Sequence, residues 1–255
     1  MNRVRFLVAR TAVALSVAVF SVAPRNVPAE AVTEARKPFT AAVSPMFGYD
    51  RDDLKVRGRG GVVTTETDTA PEYGVFAMAA TPRWVATDFL FFCDVNQADV
   101  SGNLAWLNYY ADPEAVITWN AGVGHLYHHI KPANEDIKVE VPMLKTGPLF
   151  RLPALGLSLN PYVGYAWERV DTQHGDIDND SYLFGLTASW RWRMLSATVN
   201  YYYQDSQEVR QNFDTLRVRM NAYFSEHWGA VIRYDYMEHL TTDDSSVLAG
   251  PVYMF

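Results

Sequence analysis

The sequence has very little cysteine: Cys93 is the only one among 255 residues. A single thiol cannot form an intrachain disulfide, so the chain is not a small domain held together by disulfide bonds. With no second thiol nearby, Cys93 is interpreted as an inert residue of the folded wall. The stability of the folded chain must therefore come from its fold.

The sequence also lacks long apolar runs. Its longest uncharged apolar run has 13 residues, at positions 11–23, and a membrane-spanning helix needs 18 or more. This excludes a helical membrane protein. The run follows Arg3, Arg5 and Arg10 and precedes the small-residue site at 29–31. Together these features predict a secretory signal peptide over residues 1–31 and a mature chain over 32–255.

Positive charge is scarce as well. Lys and Arg number 22 against 29 Asp and Glu, which gives a net charge of −7. Residues 1–31 hold four arginines and one glutamate, so without them the net charge falls to about −10. Nucleic-acid binding requires a basic surface. The charge balance therefore excludes DNA and RNA as partners.

The chain is rich in aromatic residues, and these alternate with polar ones. In the stretch SYLFGLTASWRWRM, residues 181–194, Trp190 and Trp192 alternate with Arg191 and Arg193. At helical spacing these four side chains would point in all directions, whereas at strand spacing the tryptophans share one face and the arginines the other. The stretch is therefore predicted to be a strand with one apolar and one polar face.

The same alternation recurs along the chain and predicts an all-β fold. About 12 strands are expected, with ten as the alternative, and the loops between them alternate between short and long. Short turns on one rim, long loops on the other and an even strand number are typical of transmembrane barrels. We therefore expect a single antiparallel transmembrane β-barrel over residues 38–255. The predicted strands are 39–49, 72–80, 84–95, 101–110, 115–129, 136–150, 157–170, 181–194, 195–205, 215–224, 229–237 and 245–255.

Aromatic residues on the apolar face fall near the predicted strand ends. Membrane barrels carry such girdles at both membrane–water interfaces, whereas a soluble sandwich favours aliphatic packing there. The predicted girdle residues are Trp167, Trp192, Tyr203, Tyr234 and Tyr236.

The end of the sequence resembles the assembly signal of bacterial outer-membrane β-barrel proteins of the porin-like type. The last strand ends in Phe255, with Tyr253 two residues before it. The resemblance implies an integral outer-membrane location after secretion across the inner membrane. It also implies contact with the barrel-assembly machinery, outer-membrane lipids and lipopolysaccharide. Pro251 departs from the pattern, because it brings no N–H to the strand ladder.

Charged and polar residues fall on the predicted inner face, and two interpretations of them remain open. They could form a salt-bridge network that fills a narrow barrel, or a constriction that passes small polar or anionic solutes. The function expected first is a narrow porin-like channel, with a plugged structural or adhesive barrel as the alternative. The predicted lumen residues are Arg191, Arg193, Arg217, Arg219, Arg233, Asp235, Asp88, Glu168, Asn200 and Tyr202.

Two further clusters contain residues that can bind metals or carry out catalysis. His125 and His129 share the outer face of a predicted strand and His128 points inward, so they do not converge on a metal. A lipid hydrolase is a weaker alternative, because no serine is spaced to lie beside His125. Asp176, Asp178 and Asp180 have the spacing of calcium ligands but lack the glycine of a calcium loop. No enzyme activity, cofactor or firm metal site is therefore expected.

Overall fold

The structure, a computed structural model, describes residues 39–57, 63–95, 98–132, 135–207, 212–238 and 242–255. The predicted signal peptide, residues 1–31, lies outside the described residues. The described chain consists almost entirely of strands. These are β1 (Thr40–Arg57), β2 (Val63–Ala80), β3 (Trp84–Val95), β4 (Ala98–Tyr110), β5 (Ile117–Lys131), β6 (Ile137–Leu152), β7 (Leu157–Thr172), β8 (Gly175–Trp192), β9 (Leu195–Ser206), β10 (Asn212–Tyr223), β11 (Trp228–Glu238) and β12 (Thr242–Met254).

The twelve strands form one closed antiparallel barrel. Each strand pairs with its neighbours in the chain, and β1 pairs with β12 to close the sheet. Closure removes the exposed edges that an open sheet would leave. The predicted fold class is confirmed, with twelve strands rather than ten. Within the described residues, no helix is both long and apolar enough to span a membrane.

Several strands run further than the sequence predicted. Residues 50–71 and 171–180 were expected to be mostly long loops, but the β1–β2 ladder continues to the pair Arg57 and Val63. The β7–β8 hairpin turns at residues 173–174. The stretch 50–71 is rich in threonine and valine, which favour strands. Polar residues therefore extend the strands at the rim away from residues 39 and 255, which we call the upper rim; the opposite end is the lower rim.

The two faces of the sheet alternate along every strand. On β2, Glu72 and Phe76 are buried inside the barrel, while Tyr73 and Val75 between them are exposed. On β8, Leu183 is buried and Phe184 is 49% exposed. Large apolar side chains thus point outward, the reverse of the usual arrangement in a water-soluble domain.

Aromatic residues mark both edges of the outward apolar band. Towards the upper rim, Tyr49 precedes Arg51 on β1, and Trp167 precedes Arg169 on β7. At the lower rim, an aromatic group includes Trp84, Tyr109, Trp119, Trp192, Trp228, Tyr253 and Phe255.

The strand registers divide the barrel into two similar halves, β1–β6 and β7–β12. The row of paired residues Thr87 and Trp106 on β3 and β4 corresponds to Thr198 and Arg219 on β9 and β10. At matching positions the same residue type often recurs. Such pairs include Pro45 and Pro161, Gly48 and Gly164, Gly74 and Gly185, Ala86 and Ala197, Asp94 and Asp205, Asn108 and Asn221, Trp119 and Trp228, Ala121 and Ala230, and Tyr127 and Tyr236.

The two junctions between the halves share one construction. At the β1–β12 junction the register is interrupted around Pro45 and Pro251, and the Ser44 hydroxyl donates to the Pro251 carbonyl at 2.7 Å. At the β6–β7 junction Asn160 Nδ2 donates to the Pro148 carbonyl at 2.9 Å. Proline cannot donate to the ladder. A polar side chain therefore engages the carbonyl of a proline at each interruption.

Candidate functional site in the barrel interior

The inner face is lined by two apolar clusters that cover different parts of the wall. One cluster is built on β4 and β6–β9, and the other on β1–β3, β11 and β12. The side chains of both clusters are buried, whereas the wall of a water-filled pore carries accessible side chains. The first cluster comprises Leu104, Val141, Met143, Tyr162, Ala166, Leu183 and Tyr202; the second comprises Met46, Phe76, Phe89, Val231 and Leu248.

Two arginines cross the lumen between the walls. Arg233 on β11 lies 3.6 Å from the ring centre of Phe89 on β3. Arg219 on β10 lies 4.3 Å from the ring centre of Phe76 on β2. In each case three strands of the closed sheet lie between the two partners. The guanidinium groups stack on aromatic faces, and Arg233 is only 8% exposed. These contacts therefore span the interior rather than line it.

A second group of contacts fills the other side of the lumen. Arg217 lies 5.6 Å from the ring centre of Tyr202, and its Nη2 donates to that hydroxyl at 3.5 Å. The Tyr162 hydroxyl donates to Asn200 Oδ1 at 3.0 Å. Arg217, Asn200 and Tyr202 are thus brought together, and Tyr162 adds an aromatic wall that the sequence prediction did not include.

Lys145 is an interior cation that the sequence analysis missed. Its Nζ lies 4.2 Å from the ring centre of Trp106 and 5.0 Å from that of Tyr162. It forms no ion pair with a carboxylate of the described chain, and neither does Arg219. Strand alternation places Lys145 on the same face as Met143 and Gly147, and this face is the inward one. The sequence therefore contained the information needed to predict its direction.

Carboxylates gather nearer the upper rim. Arg233 Nε donates to Asp235 Oδ2 at 2.7 Å, which pairs one cation with an acid. Asp50 and Glu72 are buried on β1 and β2, and Glu72 Oε2 has no hydrogen-bond partner among the described residues. Cys93 Sγ approaches Asp50 Oδ2 at 4.0 Å. No group of three or more His, Cys, Asp or Glu in the described chain has the arrangement of a metal site.

Comparisons with known proteins show similarity of structure. No protein-family model matches the chain, and no curated protein matches it in sequence. The structure is similar to the translocator domain of the autotransporter NalP from Neisseria meningitidis. The TM-score is 0.50 at 14% sequence identity, covering 87% of this chain and 90% of that one.

Two further solved structures are similar at lower scores. The β-domain of the Bordetella autotransporter BrkA has a TM-score of 0.48 at 15% identity, covering 85% of this chain and 99% of its own. The KdgM porin has a TM-score of 0.45 at 9% identity, covering 82% of this chain and 99% of its own. The closed twelve-strand sheet and the NalP similarity decide the fold. The chain is an outer-membrane β-barrel in fold.

In this barrel the predicted girdle residues all lie on the outward face. Trp167 is 42% exposed, and Trp192 ends β8 at the lower rim, stacked with Trp190 at 6.3 Å. The other three lie on β9 and β11 and pair with outward residues of neighbouring strands: Tyr203 with Phe184, Tyr234 with Val247, and Tyr236 with Ser245.

Three predicted lumen residues lie away from the centre of the barrel. Glu168 faces inward near the upper rim, where it accepts a hydrogen bond from Asn179 at 3.0 Å. Arg191 faces inward but is exposed at the lower end of β8. The prediction for Arg193 is wrong, because this residue sits in the turn 193–194 at a φ of 51° and lies 4.9 Å from the ring centre of Trp192.

The prediction that Asp88 faces the lumen is also wrong. Phe89 and Phe91 are the inward residues of β3, so Asp88 between Thr87 and Phe89 points outward. It pairs with Ala77 on β2 and Ala105 on β4, both outward residues. The error arose because the sequence prediction for this strand did not fix which alternate set was inward. Reversing that choice moves every side chain to the other face.

The three spaced aspartates do not form a calcium loop. Residues 176–180 belong to β8, and Asp176, Asp178 and Asp180 lie along one face, where alternate residues are about 6–7 Å apart. Arg169 donates to Asp176 at 3.0 Å, and the Tyr165 hydroxyl donates to Asp180 at 2.8 Å. Asp176 and Asp180 therefore have different partners, and the three carboxylates do not converge on one ion.

The three histidines occupy different environments. His128 faces inward with its ring 5.1 Å from that of Phe91. His129 faces outward and pairs with Asp136. His125 faces outward, and its directly paired neighbours are Ala105 and Pro142. Neither neighbour carries a hydroxyl or thiol, so the strand pairing gives His125 no nucleophile to activate.

Proposed function

We propose that this chain is an outer-membrane barrel closed by its own side chains, which anchors its extended polar strands at the upper rim. The observation that carries the proposal is the buried contact layer across the lumen. Phe89, Tyr202 and Arg233 all face inward, and each is less than a tenth exposed. An open pore requires water to reach such residues. The function is then structural or adhesive, and it resides at the rim and on the outer wall.

The extended upper strands support this role. β1, β2 and β8 each have 18 residues, whereas about 9–11 suffice to cross a membrane. The surplus lies at the upper rim, where Asp176 on β8 pairs with Arg169 on the neighbouring strand β7, which also pairs with Asp171. These strands present a rigid polar surface, while the outward apolar band takes outer-membrane lipids and lipopolysaccharide as its partners.

Electrical recording in planar bilayers tests the closed interior. We expect the refolded wild-type chain to give no sustained current. The double variant Arg219→Ser, Arg233→Ser removes both crossing side chains and should give discrete openings. Val75→Ala, Leu90→Ala is the matched control, because these residues adjoin Phe76 and Phe89 but face outward. This control should stay silent. A steady wild-type current would overturn the closed barrel.

A narrow anion passage is the second candidate function. It is favoured by the interior cations Lys145, Arg217, Arg219 and Arg233, of which Lys145 and Arg219 have no carboxylate ion pair within the described residues. Charged side chains in a constriction select ions of opposite sign. Wild-type current with anion preference, lost in Arg219→Ser, Arg233→Ser, would establish this function in place of the closed barrel.

A further inference from the structure

A polar patch interrupts the outward apolar band on β3–β5. Asp88, Ala105 and His125 form one row of directly paired residues across these strands. Asn103 lies diagonally beside Asp88 and donates from Nδ2 to its Oδ1 at 3.3 Å. His125 makes no hydrogen bond or ion pair with another residue in the described part of the chain. The patch therefore contains the Asp88 carboxylate, the Asn103 amide and the His125 ring. Asp88 and Asn103 are hydrogen-bonded to each other, and His125 is not bonded to either.

The patch lies within the band that faces hydrocarbon. On the outward face of β3, Asp88 sits between Ala86 and Leu90, with Trp84 at the lower end and Phe92 above. Charged side chains on the lipid face of a barrel are destabilising, most of all near the middle of the bilayer. Polar groups at such depth usually have a partner or a function.

The corresponding wall of the second half, on β9–β11, shows which residues the barrel can carry at these positions without a polar patch. By register, the row of Asp88, Ala105 and His125 corresponds to Val199, Val218 and Tyr234. Asn103 corresponds to Leu216. The matching wall is entirely suited to lipid contact, so the polar patch is not a requirement of the architecture. It is a property of the first half only.

We propose that the β3–β5 wall is the interface of a lateral homodimer, with its twofold axis beside Ala105 and parallel to the barrel axis. Such an axis sets β3 of one copy against β5 of the other. Asp88 and the partner's His125 then lie on the same side of the contact, at different depths because the strands of such barrels are tilted, and the two copies of Asn103 approach each other. The surface is self-complementary, as an isologous contact requires. The small side chain of Ala105 lets the walls approach closely, and polar contacts hold them together within the lipid.

Cysteine cross-linking in liposomes tests the position of the axis. In a Cys93→Ser background, Ala105→Cys should form a disulfide-linked dimer on mild oxidation. Val218→Cys occupies the matching position in the other half and should remain mostly monomeric. Equal cross-linking at both positions, or none at Ala105→Cys, would overturn the proposed axis. If both variants show the same change in electrophoretic mobility on heating as the wild type, both are folded.

Mass measurement in lipid discs tests the polar contacts separately. The triple variant Asp88→Val, Asn103→Leu, His125→Tyr installs the residues of the second half and keeps the wall compatible with lipid. We expect the wild type to be dimeric and the variant to have a dimer dissociation constant about tenfold higher or more. A variant that dimerises as well as the wild type contradicts the proposal.

The alternative occupant of this wall is lipid. A concave groove of about 750 Å³ runs beside the patch and is lined mainly by apolar residues such as Leu107, Val123 and Leu144. A wild-type chain that is monomeric and carries a tightly bound lipid would replace the dimer with a lipid site. Neither result depends on whether the lumen conducts, so failure of the dimer is distinguishable from failure of the closed barrel.

Discussion

At the scale of single residues, the inner face of the barrel carries three arginines from β10 and β11. Arg217, Arg219 and Arg233 were assigned to the inner face from alternation alone, and the structure brings them into one contact layer. Asp88 shows the limit of this reasoning. A period of two separates the faces of a strand without saying which is inward. Both faces of β3 contain polar and apolar residues, so its sequence does not show which face is inward. The pairing of β3 with its neighbouring strands decides this.

Lys145 was missed for a different reason. Its inward direction follows from β6, but its environment depends on Trp106 and Tyr162, which come from β4 and β7. Contacts between strands that are distant in sequence depend on register and barrel closure. Alternation within one strand contains neither, so the cation–aromatic layer could not be predicted from the sequence.

The lower turn 111–116 is held by the Asp112 carboxylate together with bonds from its backbone to Arg151 and Thr118. Asp112 Oδ1 accepts hydrogen bonds from the backbone N–H of Glu114 at 2.9 Å and of Ala115 at 3.2 Å. These bonds hold the pKa of Asp112 below its usual value. Asp112→Ala loses both bonds and should be less stable than Asp112→Asn, whose amide oxygen can accept them.

The pH dependence of this turn has a defined sign. The pKa of Asp112 is lower in the folded state than the unfolded value of about 3.9. Its contribution to stability is therefore present above that value and is lost as the pH falls through the lowered folded pKa. Urea unfolding of wild type and Asp112→Asn should differ most near neutral pH and converge towards pH 2. A constant difference across this range would contradict the role of the ionised carboxylate.

At the scale of strands, the sequence placed all twelve but shortened those at the upper rim. Polar runs such as residues 63–71 and 175–180 lack the apolar alternation that identified the other strands, so they were interpreted as loops. The backbone nevertheless continues its ladder there, as the pairs Asp52 with Asp68 and Arg169 with Asp178 show. Strand pairing in water needs hydrogen-bonding partners and strand-compatible residues, and it does not need an apolar face.

The proline junctions require glycine at two positions. A Cβ added at Gly250 would lie 1.9 Å from the Pro45 carbonyl oxygen, and one at Gly147 would lie 2.0 Å from that of Pro161. Both clashes are with backbone, which cannot rotate away. We therefore expect Gly250→Ala and Gly147→Ala each to lower the free energy of unfolding by about 3 kcal/mol. Urea titration of the refolded barrel, followed by tryptophan fluorescence, measures the change.

Ala249→Ser is the matched control for Gly250→Ala, because it alters the neighbouring outward residue without approaching the opposite backbone. Its unfolding midpoint should stay close to that of the wild type. If Gly250→Ala and Ala249→Ser behave alike, close backbone approach is not what fixes glycine at this junction.

At the scale of the whole molecule, the barrel has two similar junctions between its halves, β1–β12 and β6–β7. The first and last strands of the chain meet at the β1–β12 junction. The β1–β12 and β6–β7 junctions each contain an interruption with two prolines, a close-approach glycine and a side-chain bond to a proline carbonyl, and β6–β7 is interrupted a second time beside Pro142. Residue 255 also lies against β1, with its N–H donating to the Ala41 carbonyl at 2.9 Å. A short linker can therefore join residue 255 to residue 39, the two ends of the described barrel.

A circular permutant that begins at Leu157 and ends at Leu152 should fold into the same barrel, with a short glycine-rich linker between Phe255 and Phe39. Its terminal strands would be β7 and β6, which meet across the second proline junction as β1 and β12 do across the first. We expect its unfolding free energy in lipid to stay within about 1 kcal/mol of the wild type, since permutation at exposed turns is tolerated. Refolding into vesicles avoids any dependence on cellular assembly.

The control permutant is opened at the lower turn 193–194, where β8 and β9 pair without interruption from Ser181 to Trp192. This opening places chain ends next to a continuous ladder and should cost more stability than opening at the proline junction. Heat-dependent electrophoretic mobility identifies the folded fraction of each permutant. If the permutant opened at 193–194 folds and the one opened at 153–156 does not, the two junctions are not equivalent and the division into halves has no energetic meaning.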